Sequence, residues 1–207
     1  MTESQMVFFA VTSLLVILIP GQDLVLVMSR GMTQGAKAGI ATAAGVSVGL
    51  LGHTLLAAAG LGALLMSSDT FFTLLKLVGA AYLGYLGIKL IVSPAQNLQL
   101  EQADSMPLRR LFWTGAISNI SNPKITIFYF AFLPQFISAG SNSPAWLMIV
   151  LGSSFATLTF MVKAPIGYFA GIASKWLRNR PVVIKGINTL SGVVLLGLGV
   201  KLALEQR

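Results

Sequence analysis

The stretch Ile19-Pro20-Gly21-Gln22-Asp23, "IPGQD", interrupts an apolar run in which residues 4 to 22 carry no side-chain charge, and after Asp23 the run resumes as "LVLVM". A proline inside a helix removes one backbone donor and displaces the carbonyl four residues earlier. Gly21 tolerates unusual dihedrals and eases unwinding at that point. An ionisable side chain at the centre of a membrane span costs roughly 2.5–3.5 kcal/mol on insertion scales. A loosened backbone in lipid must be satisfied by protein, ligand or water. The half-helix that starts after the break presents free N–H groups and a partly positive end, which suits a carboxylate. Asp23 therefore either caps that half-helix or faces a cavity.

The surrounding composition decides that lipid is the right frame. Of 207 residues, 55% are hydrophobic and 10% are charged, with a mean hydropathy of +0.81. A soluble domain of that length needs more charge to cover its surface, so the chain reads as an all-α membrane protein. The net charge of +8 does not signal nucleic-acid binding, because the basic residues fall between apolar runs instead of forming an aromatic-laced patch. With no cysteine and one histidine, thiolate and multi-histidine metal sites are excluded, and neither metal nor cofactor is expected. The first five residues contain Glu3 and no Lys or Arg, so a cleavable signal is not expected.

A helix needs about 20 apolar residues to cross the hydrocarbon core. Six segments qualify: residues 6–28, broken at Pro20; 38–66; 70–92; 111–137, broken at Asn122-Pro123; 145–173; and 182–204. Together they make residues 1–207 a single transmembrane domain. Its first repeat covers about 1–92, a cytoplasmic loop about 93–110, and its second repeat about 111–207. Pro20 and Pro123 stand 103 residues apart, each in the first span of a three-span half, and each is followed by an ionisable residue, Asp23 or Lys124. Three spans per half is an odd number, so the halves are inverted. Matched helix breaks in two inverted halves point to a transporter's binding site.

Charge distribution gives an orientation. Alternate loops on one side receive Arg30, Lys37, Lys89, Arg109, Arg110, Lys175, Arg178, Arg180 and Lys185, whereas the other side receives Lys76, Lys201 and Arg207. Basic residues accumulate on the cytoplasmic side, so both termini are expected in the periplasm. Lys124 and Lys163 are left at membrane depth. Asp23 and Lys124 are expected to offset each other across the pseudo-symmetry axis, as a clasp, a gate or a proton site. Lys163 either snorkels to a surface or faces the cavity. Asn119 and Asn122 add polar groups beside the second break, and His53 sits mid-span as hydrogen-bonded packing or a proton relay. Gly45 with Gly49, and Gly167 with Gly171, have the spacing for close helix contact within or between chains, which leaves a homo-oligomer open.

The run "IPGQDLVLVMSRGMTQGAKAGIATAAGVSVGLLGHTLLAAAGL", with "NPKITIFYFAFLPQFI" later, resembles the LysE/RhtB family of bacterial amino-acid exporters over nearly the whole chain. The resemblance implies a six-span, inverted-repeat exporter of the inner membrane, driven by the proton gradient. Carried onto this sequence, its motifs fall on Pro20, Gly21 and Asp23, and on Asn122, Pro123 and Lys124. Family members commonly have a second proline where this chain has Gln22. A glutamine restores a backbone donor, so a shorter unwinding is expected here.

The expected function is secondary export of an amino acid or related metabolite by proton antiport, with the bilayer and the substrate as partners. An inorganic cation transporter of the same fold is the alternative, disfavoured because Asp23 is the one intramembrane carboxylate against two lysines. An enzyme is not expected, since no paired carboxylates or Cys/His sets lie at membrane depth.

Overall fold

The computed structural model describes residues 3–64, 69–92, 105–137, 143–178 and 181–204. Among these all regular structure is helical: α1 (Glu3–Leu18), α2 (Gln22–Gln34), α3 (Ala36–Leu64), α4 (Asp69–Val92), α5 (Leu108–Ile120), α6 (Pro123–Ile127), α7 (Pro144–Arg178) and α8 (Pro181–Leu204). Between α6 and α7 lie a π-helical turn, Phe128–Phe132, and a 3-10 turn, Leu133–Phe136. Most of the 93–110 loop, including all of 93–104, lies outside the described residues.

Both expected interruptions are present. α1 and α2 meet at Pro20 with a bend of 56°. α5 ends at Ile120, and α6 restarts at Pro123. Among the described residues, three helical stretches are long and apolar enough to cross a membrane, Ala36–Gly60, Pro144–Ala170 and Lys185–Leu204; the bent α1/α2 pair makes four.

Lipid tails are as apolar as leucine, so burying leucine between helices drives little association there. Close van der Waals packing between small residues does that work. α3 therefore packs along α7 and α5 through glycines. A Cβ added at Gly45 would strike the backbone of Phe112, and one at Gly39 would strike the backbone of Gly167. Gly31 of α2 meets the same Gly167 carbonyl, so α2, α3 and α7 converge on a single point. The surroundings of Gly171 lie outside the described residues. α4 and α8 pair separately, with Gly87 and Gly192 back to back. Large apolar side chains such as Leu55, Met161, Leu190 and Ile172 point outward, as a lipid-facing surface requires. An aromatic cluster of Phe8, Phe9, Phe128, Phe132, Phe136 and Phe155 fills the space between α1, the two turns and α7.

Candidate functional site

Each proline loosens one carbonyl, and the chain repairs both from the opposite half. Pro20 cannot donate to the carbonyl of Val16, four residues back. Lys124 Nζ reaches that carbonyl at 3.3 Å and that of Ile19 at 3.4 Å. A cation at the C-terminal end of α1 also meets the negative end of its dipole. Pro123 likewise cannot donate to the carbonyl of Asn119. His53 Nε2, from the other half, lies 3.2 Å from that oxygen, which also accepts the N–H of Asn122 at 2.9 Å.

Gly21 has φ −162° and ψ −178°, extended backbone open to any residue. Its conformational freedom is therefore not what the break uses, contrary to the expectation from sequence. What it supplies is room: a Cβ there would lie 3.3 Å from Lys124 Nζ. Gln22 is the first residue of α2, and its side-chain amide donates to Ser118 Oγ at 3.0 Å, joining the two breaks directly.

Asp23 does not pair with Lys124. It accepts from Lys163 Nζ at 3.5 Å and from Asn119 Nδ2 at 2.7 Å, both through Oδ2. Lys163 is 4% exposed and Asp23 2%, so the snorkelling alternative for Lys163 gives way to a buried ion pair. The reason is geometric. α2 and α7 are clamped together at Gly31 and Gly167, four residues beyond Lys163, which brings that lysine to Asp23. Lys124, in the first turn of α6, is directed instead at the end of α1.

Asn122 does not join this cluster by its side chain. Its Oδ1 accepts from the N–H of Lys124 at 3.1 Å and so caps α6, with Pro123 at the first helical position. That combination is a strong helix start. Asn119 and His53 do join the cluster, fully buried, and His53 packs its ring 5.5 Å from that of Tyr129.

Tyr129 is not among the residues expected from the sequence. It is fully buried, donates to the carbonyl of Gly152 at 3.2 Å, and is linked at 3.2 Å to Thr54 Oγ1, beside His53. A tyrosine inside "FYFAF" was the signal, since a buried phenol needs a partner. Its π-helical turn is a form often found at functional sites. Among the described residues no three His, Asp or Glu side chains gather to hold a metal ion.

The LysE type translocator family matches residues 14–206. The chain is 33% identical to YrhP, an uncharacterized membrane protein of Bacillus subtilis (strain 168), over 98% of this chain and 100% of the relative. It is 27% identical to a leucine efflux protein of Klebsiella pneumoniae subsp. pneumoniae, over 96% of this chain and 94% of that protein. A leucine efflux protein of Enterobacter sp. (strain 638) is 26% identical over 94% and 93% of the two chains. No solved structure matches.

Proposed function

The chain belongs to the LysE type translocator family, membrane transporters and not enzymes, and from that premise we propose that it is a secondary exporter of an amino acid or closely related metabolite across the bacterial inner membrane. Proton antiport drives it, and six spans form two inverted repeats that rock about the paired breaks. The observation that carries this reading is the Asp23–Lys163 pair, buried where the first break meets Asn119 of the second half. A purely structural clasp has no need of a broken helix on both sides. A site for a zwitterion needs opposite charges close to an uncapped helix start, and Asp23, Lys163 and the first turn of α2 supply both. Asp23 faces the substrate's ammonium. Its carboxylate is drawn to the N-terminal end of α2, beside which Lys124 Nζ stands.

The order of elements supports the inverted arrangement. Each half has a broken helix followed by two long ones, α3 packs on its counterpart α7, and α4 on its counterpart α8. The excess of basic residues in alternate loops supports periplasmic termini. Two relatives are leucine efflux proteins by name, so amino acids with apolar side chains are the first class to test. An inorganic cation finds one carboxylate here against two lysines, a poorer match.

Everted membrane vesicles containing the protein, given a mixture of amino acids outside and an acidic interior, test this directly. Selected amino acids should accumulate inside, as read by mass spectrometry, and a protonophore should abolish the accumulation. Uptake no greater than in vesicles lacking the protein would remove the amino-acid reading.

A further inference from the structure

Three buried acceptors at this centre find no donor among the described residues: Asp23 Oδ1, Asn119 Oδ1 and His53 Nδ1. Their residues are 2%, 0% and 3% exposed. An unpaired buried polar group is costly, so three in one hydrogen-bonded cluster point to a polar occupant.

Their polarity is fixed in sequence along the cluster. Asp23 is a carboxylate facing Lys163, so the Asn119 side chain must turn its NH2 toward it, and Oδ1 is left as the free acceptor. The Asn119 carbonyl can only accept, so the His53 nitrogen that faces it, Nε2, carries the hydrogen. A neutral imidazole protonated at Nε2 has a bare lone pair at Nδ1. Gly49, one helical turn before His53 on α3, lets α3 pack directly against Asn119, where a Cβ would lie 2.9 Å from Oδ1.

We propose that Asp23 Oδ1, Asn119 Oδ1 and His53 Nδ1 form the seat for the substrate's primary ammonium, and that this ammonium and a proton on His53 Nδ1 exclude each other. This rests on the amino-acid exporter reading and extends it. Three acceptors match the three N–H bonds of a primary ammonium. A proton on Nδ1 removes one acceptor and places a like charge against the ammonium. The proton arrives on Nδ1 from the acidic side and leaves when substrate takes the seat from the cytoplasmic side. Exchange at one position thereby couples the two fluxes. The other ionisable groups facing His53 are few. Tyr129 packs its tilted ring beside it from the π-helical turn, Asp23 of α2 reaches it through Asn119, and Lys163 of α7 is held by Asp23. From α5 comes Asn119, while Arg109 and Arg110 lie exposed at that helix's far end.

His53 is the sole histidine in the chain, so imidazole 15N resonances of the histidine-labelled full-length protein in lipid bilayers belong to it alone. The probes are the amino acid that wild-type vesicles accumulate most, its 2-hydroxy-acid analogue, and sodium chloride. Without substrate at alkaline pH, the spectrum should show the Nε2–H tautomer with Nδ1 bare. At a pH where the ring is half protonated, the amino acid should return it to the neutral form with Nδ1 accepting a hydrogen bond. The 2-hydroxy acid and sodium should not. An Nδ1–H tautomer, no response to a transported amino acid, or an equal response to the hydroxy acid or to sodium would each overturn the seat. In those cases amino-acid export would still stand. Vesicles that accumulate no amino acid would remove both readings.

Discussion

The two helix breaks use one backbone lesion for different ends. At Pro123 most of the repair is local, with His53 the one partner described from the other half. Asn122 caps α6 and gives its N–H to the Asn119 carbonyl, proline occupies the first helical position, and the following turns pack into the aromatic cluster. At Pro20 the chain bends by 56°, α2 begins without a side-chain cap, and nearly every partner comes from the other half. Lys124 serves the end of α1, Ser118 takes Gln22, and Asn119 and Lys163 hold Asp23. The second break is thus a rigid support, and the first is a junction whose charges depend on how the halves sit against each other. A transporter needs that asymmetry, because a site satisfied wholly within one half would not sense their relative motion.

Substitutions should separate the two breaks, beginning with the junction. Asp23→Asn leaves Lys163 buried without a counter-charge. Breaking a buried pair in this way costs about 3–5 kcal/mol, so thermal unfolding in detergent should show a large loss, and vesicle uptake should vanish. Lys124→Met strands the Val16 carbonyl and should cost about 1–3 kcal/mol. His53→Phe should cost less in the same unfolding assay, about 0.5–1.5 kcal/mol, because the Asn119 carbonyl keeps the Asn122 N–H as a donor. Equal losses for Lys124→Met and His53→Phe would undo the distinction between the breaks. At the support itself, Asn122→Ala removes one cap, worth about 1 kcal/mol. Uptake should survive that change. Gly60→Ala is the smallest: nothing lies within 4 Å of a Cβ there, so the unfolding temperature should hold or rise slightly, in line with the helix preference of about 1 kcal/mol for alanine over glycine.

How much of this was legible in the sequence follows the same divide. Pro20 and Pro123 stand out in apolar runs, so the breaks and the helix edges near them could be read directly. The partner of Asp23 could not. Lys124 and Lys163 carry the same charge, and the choice between them is made by helix rotation. That rotation is set by contacts among Gly31, Gly39 and Gly167, residues far apart in the chain. His53 meets the Asn119 carbonyl for a comparable reason, because Gly45 and Gly49 let α3 approach the backbone of α5. The π-helical turn left no mark, since "FYFAF" fits any buried helix, and the phenol of Tyr129 was the one group in it whose need of a partner could be read.

The Asp23–Lys163 pair is proposed to serve transport and not the fold. The most direct test is uptake by the double variant Asp23→Asn/Lys163→Met, in everted vesicles matched to wild type for protein content. Replacing both members of a buried pair is often neutral for stability. The double variant should unfold at the wild-type temperature and accumulate no amino acid. Accumulation at the wild-type rate would contradict it and make the pair a clasp.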